Sequence, residues 1–159
     1  RVLFRSNGLK EGKGILYLLY YEKNDDKKRK KYEGYFKNDK RKGKGTHIWN
    51  DGYRYEGDWK EDKFEGKGIC YYKDGDRYEG DWKNNNREGK GIYYWNDGDR
   101  YEGDWKNDKR EGKGIIFWKN DNKYEGDFKN GLREGKGIIY FSNGEIRNGI
   151  WKNDRFVDK

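Results

Sequence analysis

The sequence predicts an all-β protein, and three observations support that class. Among the 159 residues, 18% are aromatic and 24 are glycine, whereas alanine, methionine and glutamine are absent. Tyrosine, tryptophan and glycine are typical of strands and tight turns, while the missing residues are those that favour helices. The third observation is a repeat with a fixed length of 23 residues.

The repeat is defined by two short motifs. Tyr-Glu-Gly begins at residues 32, 55, 78, 101 and 124, and the degenerate copy Arg147-Asn148-Gly149 keeps the period. Gly-Lys-Gly recurs at 12–14, 43–45, 66–68, 89–91, 112–114 and 135–137. One complete unit, residues 101–123, reads YEGDWKNDKREGKGIIFWKNDNK. A fixed period of this length indicates an array of similar structural units that stack on their neighbours.

Within each unit the residues alternate with a period of two. Over residues 101–106, Tyr, Gly and Trp share one face, and Glu, Asp and Lys share the other. Turn signals separate the runs: a polar stretch follows Trp, as at residues 107–110, and Asn-Asp-Gly or a related sequence ends the unit. The pattern therefore predicts a single-layer, elongated antiparallel meander of about six 23-residue β-hairpin repeats. No segment is long enough for a crossover helix.

The whole chain, residues 1–159, is predicted to be one repeat array. Complete or degenerate repeats begin near residues 32, 55, 78, 101, 124 and 147. Residues 1–31 form a partial repeat with a basic insertion at about 22–31, which we expect to extend one hairpin and to lie at its tip. Residues 147–159 form a partial repeat or a cap, because Val157-Asp158 stands where Glu-Gly is expected.

A single-layer sheet has no second layer against which to bury a core. We therefore expect the aromatic rings to lie over glycines of neighbouring strands on the same face, each pair contributing about 0.2–1 kcal/mol. The two outer strands would expose unpaired backbone groups, which favours self-association.

Tyr-Glu-Gly-Asp-Trp-Lys followed by Gly-Lys-Gly resembles the MORN repeat (membrane occupation and recognition nexus), and the resemblance covers essentially the whole chain. The resemblance implies a twisted antiparallel sheet with one hairpin per repeat, and a role as a scaffold or targeting module. The resemblance also implies that the chain self-associates and that phospholipids are candidate ligands. This chain departs from the pattern in the turn after Trp, where the usual glycine is found only at Gly131.

The inventory of catalytic residues is nearly empty. His47 is the single histidine and Cys70 the single cysteine, and both occupy the same place in adjacent repeats. Strand spacing would separate them by about 10 Å, whereas a nucleophile and its base need about 3 Å. The recurring carboxylates alternate with lysines, which favours cross-strand ion pairs over an acid pair. We therefore predict no enzyme activity and no cofactor. We also predict no metal site, since Asp-Gly-Asp at 74–76 and 97–99 lacks the spacing of a calcium loop.

Two surfaces are candidates for binding a partner. The first is a set of exposed aromatic residues on the second strands, one per repeat and on one face, which suits protein recognition unless it is the packing of the sheet itself. We call it the aromatic stripe: Trp49, Tyr72, Trp95, Trp118 and Phe141. The second is the basic insertion, which suits an acidic phospholipid surface or an acidic protein and is supported by the recurring lysine of Gly-Lys-Gly. Its basic residues are Lys23, Lys27, Lys28, Arg29, Lys30 and Lys31.

The sequence thus favours a non-enzymatic scaffold for protein–protein interaction that self-associates. The alternative is a peripheral module that targets membranes or phosphoinositides, or the targeting arm of a larger protein, since the first residue is Arg1. Nucleic acid is disfavoured as a partner because half of the net charge of +8 belongs to the insertion. No stretch reaches the length of a transmembrane span, and with one cysteine we expect a cytoplasmic protein associated with the cytoskeleton or a membrane.

Overall fold

The computed structural model describes residues 4–6, 8–19 and 29–158, and every regular element in them is a β-strand. The strands are β1 (Phe4–Ser6), β2 (Leu9–Leu19), β3 (Arg29–Lys37), β4 (Lys40–Ile48), β5 (Arg54–Lys60), β6 (Lys63–Tyr71), β7 (Arg77–Lys83), β8 (Asn86–Tyr94), β9 (Arg100–Lys106), β10 (Lys109–Phe117), β11 (Lys123–Lys129), β12 (Leu132–Tyr140), β13 (Ile146–Lys152) and β14 (Arg155–Asp158). The chain divides into two compact units: unit 1 comprises Arg1–Gly75 and Trp82–Asn85, and unit 2 comprises Asp76–Asp81 and Asn86–Lys159.

Each unit is an open antiparallel sheet whose strands pair in chain order. In unit 1 the pairing runs from β1 to β6, and in unit 2 from β8 to β14. The predicted all-β antiparallel meander, with one hairpin per repeat, is confirmed. The insertion extends the hairpin of β2 and β3 as expected, since their pairing continues to Leu19 and Arg29.

A two-residue turn closes each hairpin after its first strand. In unit 2, Asn107 and Asp108 both have positive φ, at 47° and 66°, and the flanking Lys106 and Lys109 are paired. Positive φ at both central residues is the signature of a type I′ turn, whose twist matches that of the strands. Short polar residues tolerate this left-handed conformation best, which explains why the polar stretch follows Trp in the sequence.

The second residue of this turn also ties its hairpin to the preceding one. The Asp108 amide donates to the Arg87 carbonyl at 3.1 Å, and Asp108 Oδ1 accepts from the Arg87 amide at 2.9 Å and from Arg87 Nε at 3.1 Å. The same contacts join Arg41 to Asp62 and Arg133 to Asp154. Aspartate therefore replaces the glycine of the resembled pattern because its carboxylate bonds the neighbouring hairpin.

From β4 onwards, a five-residue loop joins each hairpin to the next. The Trp95 amide donates to the Asp99 carbonyl at 3.0 Å, and the Gly98 amide donates to the Trp95 carbonyl at 3.2 Å. Gly98 has a φ of 102°, so the Asn-Asp-Gly sequence supplies the left-handed residue that such a loop requires.

The tyrosines of the Tyr-Glu-Gly motifs form the core of the sheet. Tyr101 is fully buried, and its ring lies over Gly103 on its own strand and Gly114 on the next. A Cβ at Gly114 would lie 2.4 Å from Cε2 of that ring, which leaves no room for any other residue. The Tyr101 hydroxyl donates to the Asp104 carbonyl at 2.9 Å. The expectation that rings lie over glycines is confirmed, and the equivalent hydroxyl bonds recur at Tyr32, Tyr55, Tyr78 and Tyr124.

Tryptophans complete this aromatic core. Trp105 lies edge-to-face between Tyr78 and Tyr101, with ring centroids 5.2 and 5.3 Å away. Its indole N–H donates to the Gly91 carbonyl at 3.2 Å, so the buried polar atom is satisfied. Edge-to-face contacts of this kind contribute about 0.5–1.5 kcal/mol beyond the area that they bury. In unit 2 a continuous row of rings therefore replaces the second layer that a single sheet lacks.

Burial changes the ionisation of these tyrosines. Desolvation raises the pKa of Tyr32 and of Tyr124 to about 12, and it raises the pKa values of the tyrosines between them further still. Only the neutral phenol is therefore compatible with the folded core up to strongly alkaline pH.

We predict that replacing Glu61 by Asn stabilises the protein. Glu61 occupies the first turn position with a φ of 47°, where the five other described turns carry asparagine. Asparagine adopts this conformation at lower cost than glutamate, so the free energy of unfolding should rise by about 1 kcal/mol. Urea denaturation measures the change. The reverse substitution, Asn84→Glu, is the matched control and should destabilise; a loss of stability in Glu61→Asn would contradict this explanation.

We also predict that stability falls as the pH rises above about 10. Tyrosine in the unfolded chain loses its proton near pH 10, whereas Tyr124 in the folded protein keeps its proton until about pH 12. Between these values the unfolded state binds fewer protons, so raising the pH favours unfolding. The free energy of unfolding, measured between pH 8 and about 11.5, should fall less steeply in Tyr124→Phe. The exposed control Tyr35→Phe should keep the slope of the unaltered protein; equal slopes in both variants would refute the prediction.

Candidate functional site

The face of the sheet opposite the tyrosines carries the charged residues of each repeat, and we call it the charged face. Asp104 lies at its centre in unit 2. Asp104 Oδ2 accepts from the Lys113 amide at 3.0 Å, and Asp104 Oδ1 lies 2.5 Å from Nζ of Lys90 in the preceding repeat. The left-handed Gly112, with a φ of 63°, produces a bulge that presents the Lys113 amide to this carboxylate. Each aspartate thus fixes one Gly-Lys-Gly segment and pairs with the lysine of another.

Three of the recurring lysines are consequently not free cations. Lys44 pairs with Asp58 at 2.9 Å, and Lys113 pairs with Asp127 as Lys90 does with Asp104. These ammonium groups remain about 70% exposed, at 71%, 71% and 72%, so each pair contributes no more than about 1 kcal/mol. Their charges are nevertheless offset by carboxylates, which weakens the charged face as a binding surface for anionic lipids.

A groove with a volume of about 640 Å³ runs along the charged face of unit 2. Its floor is formed by glycine backbone and by the half-buried side chains of Ile115 and Ile138, while lysines and glutamates border it. The lining residues are Lys90, Glu102, Gly103, Lys113, Gly114, Ile115, Glu125, Gly126, Lys136, Gly137, Ile138 and Asn148. The glycines that admit a tyrosine ring on one face thus leave bare backbone on the other. Sequence reasoning missed this groove.

Unit 1 contains a smaller cavity of about 300 Å³, lined by Leu16, Tyr32, Phe36, Asp39, Arg41, His47 and Asp62. Its polar groups already bond one another. Arg41 Nε lies 2.8 Å from Asp62 Oδ1, and Arg41 Nη1 lies 2.7 Å from His47 Nδ1. This cavity therefore offers a ligand fewer available groups than the groove in unit 2.

The aromatic stripe lies at the first position of the five-residue loops, one residue beyond the second strands on which the sequence analysis placed it. All five residues are half-buried. Two of these rings pack on neighbouring aromatic side chains. The Trp49 ring stacks on His47 with ring centroids 3.9 Å apart, and the Trp95 ring centroid lies 4.9 Å from that of Tyr93. The stripe thus contributes to packing and leaves part of its surface exposed.

The basic insertion is only partly included in the described residues. Lys23, Lys27 and Lys28 lie outside them, whereas Arg29, Lys30 and Lys31 belong to β3 rather than to the tip of the hairpin. Lys31 Nζ lies 2.9 Å from Glu33 Oε2. The hydrogen bond between them raises the pKa of Lys31 and lowers the pKa of Glu33.

His47 and Cys70 lie on opposite sides of Tyr55. His47 on β4 and Cys70 on β6 are each paired with Tyr55 on β5, and both are buried. They fill equivalent core positions and do not meet. In the described residues no cluster of three or more histidine, cysteine, aspartate or glutamate side chains could hold a metal ion. The same part of the chain contains no helix long and apolar enough to cross a bilayer.

Comparison with known protein families agrees with the repeat. Among solved structures, the chain is similar to the TCP domain of SAS-4 (dCPAP) from Drosophila melanogaster, solved in complex with a proline-rich motif of Ana2 (dSTIL). The TM-score is 0.42 and the identity 12%, over 86% of this chain and 90% of that one. Comparison with curated proteins gives no significant match. The family model described as MORN repeat matches residues 6–18, 32–52, 55–77, 78–100, 101–123 and 124–146, and the chain therefore belongs to the MORN repeat family.

Proposed function

We propose that this chain is a non-enzymatic scaffold that binds protein partners along the charged face of unit 2. The observation that carries the proposal is the groove of about 640 Å³, which combines an apolar floor with charged borders. A polypeptide segment is the ligand class that uses both features, since it offers apolar side chains, charged side chains and backbone groups together.

The floor of the groove favours close approach of such a segment. Gly103, Gly114 and Gly126 present only backbone to it, and Ile115 and Ile138 are half-buried. The borders alternate in sign along the repeats, as with Lys113 and Glu125. Alternating positive and negative side chains mainly determine the register in which a partner binds, and they contribute less to its affinity. We therefore expect a partner whose charges alternate in the same manner.

The aromatic stripe is a second surface for a protein partner in this proposal. Its half-buried rings can extend a contact, because Trp95 and Trp118 each keep part of their surface exposed. Self-association and a cytoplasmic location, with cytoskeletal or membrane association, also belong to the proposal. Self-association is supported by the exposed apolar side chains of Ile146 and Val157 near the last strands, which are 62% and 55% exposed.

The alternative function is targeting to an acidic membrane through the basic insertion. Each basic residue near an anionic surface contributes about 1 kcal/mol, so six in one segment would suffice. The paired lysines of the charged face add little to this, because their aspartate partners offset them. We therefore rank membrane targeting below protein binding.

A peptide selection followed by mapping tests the proposal. Peptides selected from a random library displayed on phage should shift the NMR resonances of Ile115 and Ile138. The double variant Ile115→Arg, Ile138→Arg should weaken their binding about tenfold or more, because charge enters the apolar floor. Changing four of the six insertion residues to Ser or Gln is the control and should leave peptide binding unchanged.

Three outcomes would contradict the groove as the binding surface. The groove variant could bind the selected peptides as tightly as the unaltered protein. Binding could instead be lost when Trp95 and Trp118 are replaced together by alanine, which would assign it to the aromatic stripe. Finally, the unaltered protein could sediment with phosphoinositide vesicles at physiological salt while the insertion variant does not, which would establish membrane targeting in its place.

A further inference from the structure

Strand β13 differs from its equivalents on both faces, and the charged face changes most. On this face, β5, β9 and β11 each carry a basic residue, a glutamate and an aspartate at alternating positions. In β9 these residues are Arg100, Glu102 and Asp104. In β13 these three positions hold Ile146, Asn148 and Ile150. On the opposite face Gly149 and Trp151 are retained and Trp151 donates to the Gly137 carbonyl, while Arg147 stands where the other strands carry tyrosine. On the charged face the change removes the charges of these three positions and leaves Lys152 as the charged residue of the strand.

This change leaves an exposed apolar surface. Ile146 is 62% exposed and Ile150 is 40% exposed. Both isoleucines share their face with Asn148, which lines the groove, and Asn148 is paired with the groove residue Ile138. We call Lys136, Ile138, Ile146, Asn148 and Ile150 the terminal patch. It continues the groove at the end of unit 2.

The change also removes the carboxylate that would pair with Lys136. Lys90 and Lys113 each pair with the aspartate directly opposite on the next strand, Asp104 and Asp127. The residue directly opposite Lys136 is Ile150. Among the described residues Lys136 forms no ion pair, although its backbone amide still bonds Asp127 at 3.0 Å. The terminal patch thus combines one uncompensated ammonium group with exposed aliphatic side chains.

We propose that the terminal patch binds an extended polypeptide segment of a partner in which a carboxylate lies beside an aliphatic residue. This inference rests on the proposed function and names the chemistry recognised at one end of the groove. The carboxylate of the partner binds Lys136 Nζ and thereby takes the place of the aspartate found in the other repeats. The aliphatic side chain packs on Ile138 and Ile150, and Asn148 supplies amide groups for the backbone of the segment.

A membrane surface fits this patch less well than a peptide. Recognition of anionic lipid requires several basic residues in one place, whereas Lys136 is a single one. Glu125, directly opposite Ile138, is exposed at the border of the patch and would be repelled by lipid phosphates.

The test uses a fluorescein-labelled decapeptide with one aspartate between two isoleucines, and a second decapeptide with lysine in place of that aspartate. Titrations measure the dissociation constant by anisotropy, and NMR maps the contact. The first peptide should shift the resonances of Lys136, Ile138 and Asn148. Ile150→Asp, which restores the aspartate of the other repeats, and Lys136→Gln should each weaken binding at least about tenfold. Ile48→Asp in unit 1 is the matched control, since Ile48 is 37% exposed, and should leave binding unchanged.

Each other outcome overturns the inference. If Ile150→Asp binds the peptide as tightly as the unaltered protein, or if the lysine peptide binds equally well, the terminal patch does not recognise a carboxylate. The proposed function survives that result when selected peptides still shift Ile115. If neither the selected peptides nor the decapeptides shift the resonance of any groove residue, both proposals fail. Binding of phosphatidylserine vesicles that Ile150→Asp abolishes, without peptide binding, would assign the patch to a membrane. Thermal melting of each variant shows that it is folded.

Discussion

The contact of one tyrosine ring with two glycines is the constraint on which this sheet depends. Tyr101 covers Gly103 and Gly114, and no side chain larger than hydrogen fits beneath the ring. The ring is thereby buried within the thickness of one sheet, without a second layer. Because each tyrosine also contacts the aromatic residue of the neighbouring hairpin, burial in one repeat requires the next. Stability accordingly accumulates along the repeats of each unit.

The same contact determines the character of the opposite face. Glycines that admit a ring on one side leave backbone exposed on the other, and this backbone forms the floor of the groove in unit 2. The charged residues that border it are organised by Asp104 and its equivalents, which hold the bulge of each Gly-Lys-Gly segment. Where those residues change in unit 2, at Ile146, Asn148 and Ile150, the face acquires a different chemistry. Core and binding surface are thus two consequences of one alternating pattern.

The sequence predicts the fold well because its period of two and its turn residues act locally. The strands, both kinds of turn and the rings over glycines follow from alternation and residue size. The groove could not be predicted in this way, since it depends on how side chains from several neighbouring strands are arranged in space. The pairing of Lys90 with Asp104 could have been predicted from the sequence, because a lysine and an aspartate 14 residues apart recur in the repeats. The sequence analysis assigned the aromatic stripe to the second strands. Trp95 instead begins the loop, because β8 ends one residue before it although the residues around it are typical of strands.

The most direct test of the ring-over-glycine contact is a double-mutant cycle between Gly114 and Tyr101. The three nearest atoms to a Cβ at Gly114 all belong to Tyr101, and Gly114 is not among the residues with positive φ, so alanine meets the ring first. Gly114→Ala should lower the free energy of unfolding by more than about 2 kcal/mol in the unaltered protein. In Tyr101→Leu, whose side chain ends before the ring atoms concerned, the same change should cost less than about 0.5 kcal/mol. An equal cost in both backgrounds would contradict the account.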